Sequence, residues 1–358
     1  MRKHYLDNLR ASLVILVVFY HICYILNGVG IEGGVYLGRS YAVCDSFARL
    51  VYPFFMVALF AVSGMVSRIA LRNGRREYMR KRVDKLLVPS TLGLLAFHFI
   101  TGYLNTRPAA EYFESIHPVA RYFIYVFAGT GVMWFAQLLF VYSAILVLLV
   151  SLDRDRKAEN ALSGMPYPVI LALSLAVWAS SFVLNAKTIV VYRFGIYLVS
   201  FLLGYYVLSG EEAEKRIIRY RFVSLSLAAV SAVLYMVFER ENLYVSPESL
   251  EGIFTNLYAW FMTLALIGMY GAYMDRTGRV LSFLSARSYD LYVFHYTAML
   301  ASVMAISGTG LPLYMKYIIP LLIAFIASYI LGAIVRRLPV LRYLILGMRC
   351  NRRKAIVS

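Results

Sequence analysis

Ten stretches of about 20 apolar residues, spaced along a 358-residue chain, constrain its fold more than any other feature. They cover approximately 9–26, 47–67, 86–103, 132–150, 166–184, 189–208, 222–238, 253–273, 288–306 and 314–335. Each is long enough to cross a hydrocarbon layer of roughly 30 Å as a helix. A lone segment in lipid must be helical, because only a helix satisfies its own backbone hydrogen bonds. The predicted class is therefore all-α: a polytopic integral membrane protein with about ten transmembrane helices. With 61% apolar and 15% charged residues, the chain lies outside the balance of a soluble domain. Nothing in the sequence separates as a soluble domain, linker or repeat, so 1–358 reads as one transmembrane domain. Only Asn185 to Thr188 separate the fifth and sixth stretches, which predicts a tight helical hairpin.

A net charge of +17 invites a nucleic-acid reading, yet the basic residues sit in short clusters between the apolar stretches. Alternate loops hold 28 of the 36 lysines and arginines, which by the positive-inside rule predicts that both termini are cytoplasmic. The expected partners are thus a lipid bilayer and not nucleic acid, and the expected location is a bacterial cytoplasmic membrane. The N-terminal basic residues precede an apolar run without a small-residue cleavage pattern, as in an uncleaved first span. Cys23 and Cys44 approach the outer face and Cys350 falls in the cytoplasmic tail, a pattern that favours free thiols over a bridge. The histidines are scattered and match no metal-ligand spacing, so no metal is expected.

Four segments carry candidate chemistry. Arg10 and His21 lie eleven residues apart in the first stretch, on one helical face and roughly 16 Å apart along the axis. Arg10 satisfies the positive-inside bias on its own, whereas a buried His21 is either bonded to a neighbouring helix or a general base for a hydroxyl. Second, Arg68 to Lys85 holds eight cations before Pro89. Lipid anchoring explains them, and so does binding of phosphates on a cytosolic cosubstrate, for which Arg80, Arg82 and Lys85 are the candidates. Arg82 and Lys85 are one turn apart and are expected on one face. Third, Ser288, Tyr292 and His295 form a polar stripe on the ninth stretch, suited to helix–helix hydrogen bonding or to an interior site. Asp290 falls on a different face. Fourth, Gly129 and Gly131 break a helix before Trp134, an interfacial anchor or a platform for a sugar ring. His98 and His117 read as structural or incidental.

Together these segments resemble the membrane-bound acyltransferase family 3. Arg10 and His21 resemble its Arg-x10-His motif, preceded by Tyr5-Leu-Asp7-Asn-Leu. Phe54 to Gly64 is similar to its second helix, Arg82-Val-Asp-Lys85 to its basic motif before a proline, and Trp134-Phe135 and Tyr292-Val-Phe-His295 to two further signatures. The second basic position is Lys85 where many members have arginine, which replaces a bidentate phosphate contact by a point charge. Ala136 and Gln137 stand where lipopolysaccharide- and peptidoglycan-modifying members carry glutamates, so the chain is closer to the glucan-modifying branch. The resemblance implies an O-acyltransferase that moves an acyl group from a cytoplasmic acyl-CoA, acetyl-CoA foremost, to a hydroxyl of an extracytoplasmic or lipid-linked carbohydrate. It implies no tightly bound cofactor. In this reading His21, Arg10 and His295 are catalytic, Arg80, Arg82 and Lys85 bind the cosubstrate, and Trp134 and Tyr292 bind the acceptor. The rival reading is a secondary transporter of a sugar or organic acid that uses its histidines as a proton relay.

Overall fold

Among the described residues, each apolar stretch falls largely within a helix. The structure is a computed structural model that describes residues 3–31, 35, 37, 39–107, 110–184 and 193–349. The chain is 82% helical with no strand among the described residues, which establishes the all-α class. The helices are α1 (His4–Ile25), α2 (Ala42–Leu71), α3 (Arg75–Thr106), α4 (Pro118–Ala128), α5 (Gly131–Leu152), α6 (Lys157–Ser163) and α7 (Tyr167–Ser180). They continue as α8 (Phe194–Leu208), α9 (Glu211–Arg219), α10 (Arg221–Phe238), α11 (Ile253–Tyr273), α12 (Arg279–Ile306), α13 (Leu313–Arg337) and α14 (Pro339–Leu346).

The described residues contain 7 helices long and apolar enough to cross a membrane, and up to 9 if each bent pair is one span. The bent pairs are α6 with α7, at 113°, and α8 with α9, at 99°. The stretch expected at 288–306 does form a helix, but α12 is not in that group. Ser288, Asp290, His295 and Thr297 dilute its apolar residues, and all four are buried inside the protein. The hairpin expected at Asn185 to Thr188 and the tail cysteine Cys350 lie outside the described residues.

The chain forms two compact units, each from two separate segments. Unit 1 comprises Met1–Arg75 and Val141–Ala286. Its core is α2, which buries residues from Ala48 to Ser67 on every side. Gly64 of α2 faces the Phe201 carbonyl of α8, and Gly204 of α8 faces the Ala61 carbonyl of α2. A Cβ at either position would collide with backbone, so this crossing needs hydrogen side chains, as close helix contacts in membranes often do. The terminal carbonyls of helices also find partners here, since they have none within the helix. Asn8 Nδ2 donates to the Met274 and Arg276 carbonyls at the end of α11, and Arg49 donates to the Glu239, Arg240 and Asn242 carbonyls after α10.

Unit 2 comprises Arg76–Phe140 and Arg287–Ser358. The helix α3 reaches back to Arg75, well before the expected start at residue 86, so the basic run is helical on both sides of a turn at residues 72–74. Two π-turns, Val83–Leu87 and Leu94–His98, flank Pro89. Proline has no N–H to donate, so the Lys85 carbonyl loses its partner in the helix ladder. The Tyr289 hydroxyl of α12 donates to that carbonyl instead, at 2.8 Å. At the other end of α3, Gly102 lets α4 pack backbone to backbone. A pair of threonine hydroxyls, Thr101 and Thr297, joins α3 to α12 at 2.6 Å.

Candidate active site

The candidate residues divide between the two units, with Arg10 and His21 in unit 1 and the others in unit 2. Arg10 and His21 share the unbroken helix α1, with Arg10 near its start and His21 one turn from its end. Arg10 Nη2 lies 3.8 Å from Asp7 Oδ1, a loose ion pair with a 43% exposed guanidinium. His21 is half-buried rather than buried. Its ring lies 5.4 Å from that of Tyr20 and 6.5 Å from that of Tyr24, and Tyr20 in turn packs on Tyr52 and Phe55 of α2. The imidazole thus stands at the edge of an aromatic wall. The chain after α1 is tied down by Asp45, which accepts from Gly28 N–H and Ser40 Oγ. Cys23 and Cys44 are free thiols.

The basic run does not form one continuous patch. Arg68 pairs with Glu159 at 3.0 Å and Arg75 donates to Ser151, all in unit 1. Arg80 and Lys81 share Glu77 at 2.5 and 3.4 Å, with Arg80 57% exposed. Arg82 lies over the Tyr78 ring at 4.8 Å. Lys85 turns elsewhere: its Nζ donates to the Leu346 carbonyl of α14 at 3.1 Å and lies 5.6 Å from the Tyr289 ring. The shared face expected for Arg82 and Lys85 assumed regular α-spacing. The π-turn that starts at Val83 widens the helix and sends the two cations to different partners.

The segment after the helix break and the ninth stretch meet as unit 2 folds. Gly131 adopts φ +41°, a left-handed conformation that a side chain would strain. The Tyr292 hydroxyl donates to the Val132 carbonyl at 2.7 Å, and its ring lies 6.0 Å from Phe135. Half-buried Trp134 meets Phe135 edge-on. His295 is fully buried, with Nδ1 2.7 Å from the Leu291 carbonyl. A carbonyl only accepts, so Nδ1 carries a hydrogen. His117 is exposed and caps α4 by accepting from Val119 N–H, and His98 is buried in α3. Among the described residues, no three His, Cys, Asp or Glu side chains gather to hold a metal.

Two carboxylates in unit 2 have roles that sequence reading missed. Asp290, 1% exposed, holds Arg336 at 2.6 Å and Arg287 at 3.3 Å. Asp84 holds Arg349 at 2.7 Å and accepts from the Tyr343 hydroxyl, which together with the Lys85 contact straps α14 across the start of α3. Hydrogen bonding to Asp84 raises the pKa of the Arg349 guanidinium further above its ordinary value. Gly347, at φ +57°, makes the strap possible, since a Cβ there would strike the Asp84 carbonyl. An acidic residue within an apolar stretch was the visible signal for Asp290, but its main partner is 46 residues away.

An acyltransferase domain family matches residues 3–337, nearly the whole chain. The chain belongs to the acyltransferase 3 family. It is therefore a multi-pass membrane acyltransferase, and the family assignment does not favour the transporter reading. Comparison with curated proteins finds no match, and neither does comparison with solved structures. The acyltransferase 3 match includes every candidate catalytic and binding residue and stops at the end of α13, so the α14 strap lies beyond it.

Proposed function

We propose that this acyltransferase moves a short acyl group, acetyl foremost, from a cytosolic acyl-CoA to a hydroxyl of an extracytoplasmic or lipid-linked carbohydrate. The observation that carries the reading is the half-buried His21 on the aromatic wall of α1 in a chain of this family. His21 takes the proton from the acceptor hydroxyl as its oxygen attacks the thioester carbonyl. The C–S bond then breaks, and the proton passes to the departing thiolate. Arg10 balances charge on the donor side of α1. In unit 2, Arg80 and Arg82 hold donor phosphates, and Lys85 joins them by giving up its carbonyl contact. Trp134 and Tyr292 offer ring faces to the sugar, and His295 supports the polar interior of α12. The positive-inside distribution supports cytoplasmic termini in a bacterial cytoplasmic membrane.

Mass spectrometry of envelope carbohydrates from wild-type and deletion strains tests the reading and names both acyl group and acceptor. The deletion should lose one acyl mass, and restoring the gene with His21→Ala should not bring it back. With purified protein, that substitution should slow transfer by about 10²–10⁴-fold, the usual worth of a general base. Unchanged envelope carbohydrates, together with full activity of His21→Ala, would overturn the assignment.

A further inference from the structure

Arg193, at the start of α8 in unit 1, is only 3% exposed. Burying a charged group is costly, and buried charges are ordinarily paired. This one is not. Its Nη2 donates to the Leu250 carbonyl at 2.8 Å and to Asn256 Oδ1 at 3.3 Å. Both acceptors are neutral. Nε is buried with no hydrogen-bond partner, and among the described residues no carboxylate pairs with Arg193.

Holding the Leu250 carbonyl does not account for the charge. Asn256 Nδ2 already donates to that carbonyl at 2.9 Å, and to the Gly252 carbonyl at 2.8 Å. A neutral side chain would serve that structural purpose without the cost of desolvating a cation. The surroundings point toward a ligand. Tyr52 lies within electrostatic range of Arg193, and its ring is 5.7 Å from Tyr20 and 5.2 Å from Tyr244. Tyr20 is the neighbour of His21 in both sequence and ring contact. Burial raises the pKa of the Tyr244 phenol, so it stays neutral and adds no competing negative charge. Within unit 1, buried phenol rings thus run in contact from Tyr244 through Tyr52 and Tyr20 to the candidate base. Phenol faces of this kind suit sugar rings.

We propose that Arg193 is a recognition point for an oxyanion, a carboxylate or phosphate, carried by the carbohydrate acceptor. This rests on the acceptor reading above and narrows it to acidic carbohydrates. No bond is made or broken at Arg193. The residue sets specificity and position by a charge-assisted N–H···O⁻ contact from Nε, in the low-dielectric setting where such contacts are strongest.

The test uses the full chain purified in detergent, without acyl-CoA, at constant ionic strength. Binding of glucuronate, glycerol phosphate and neutral glucose is compared for wild type, Arg193→Gln, Arg193→Lys and Asn256→Ala. At least one acid should bind wild type more tightly than glucose does. Arg193→Gln should weaken that acid by about tenfold or more while leaving glucose unchanged. Preference for glucuronate identifies a uronate-type acceptor, and preference for glycerol phosphate a phosphorylated one. Asn256→Ala keeps the charge and should keep the preference. Arg193→Lys should keep part of it, which covers the case of a Gln variant that fails to fold. The inference is overturned if neither acid outbinds glucose, if the preference survives in Arg193→Gln, or if it survives undiminished in Arg193→Lys. Acid binding by a chain that transfers no acyl group would overturn the transferase assignment alone. Transfer to a neutral sugar, undiminished in Arg193→Gln, would overturn only the inference.

Discussion

Asp290 concentrates two arginines on one buried carboxylate. Removing one partner of a buried ion pair strands the other charge, at a cost of about 3–5 kcal/mol when both are fully buried. Arg336 and Arg287 keep 29% and 33% of their side-chain surface, so a smaller loss is expected for Asp290→Ala, about 2–3 kcal/mol. Thermal or denaturant unfolding in detergent measures it, and an unchanged midpoint would show that solvent already screens the cluster. Arg10 and His21 were readable as candidates because both sit on one helix with a fixed repeat. Asp290 and Arg193 were not, because a sequence displays a charge without its counter-charge. For Asp290 the nearer of its two counter-charges, Arg336, comes from a helix later in the chain, and for Arg193 what matters is the lack of any among the described residues.

Helices were legible wherever length and hydropathy sufficed, as in α1, α2 and α13. The stretch at 288–306 was legible as a helix, but its buried polar residues make it an interior element by composition. The π-turns of α3 were not legible at all. Pro89 marked a disturbance, but the change of helical repeat depends on whether another group, here the Tyr289 hydroxyl, meets the orphaned carbonyl. The crossing of α2 and α8 yields a sharper expectation. Gly64→Ala or Gly204→Ala must push two backbones apart and should cost about 1–3 kcal/mol, as overpacking does. Gly278→Ala, where an added Cβ meets nothing within 4 Å, is the matched control and should be near neutral. Equal unfolding midpoints for all three variants would mean that the crossing is more yielding than its geometry implies.

Across the whole molecule, the charge asymmetry makes a testable map. In a chain with its three cysteines replaced, a cysteine introduced at Arg156 should react with a membrane-impermeant thiol reagent only after cells are opened. One introduced at Asn105 should react in intact cells. The opposite labelling would invert the assigned orientation. The expected map comes from the bias of basic residues toward one side, whereas the two units could not be read from the sequence, since each joins segments remote in it. The strap by α14 has a consequence in time. Asp84 and Arg349 are 265 residues apart. A ribosome adding about 5–20 residues per second reaches Arg349 roughly a quarter of a minute or more after Asp84. The carboxylate on the proposed donor-binding helix is thus made long before the arginine that pairs with it, and the nascent helix must stand without that counter-charge in the interval.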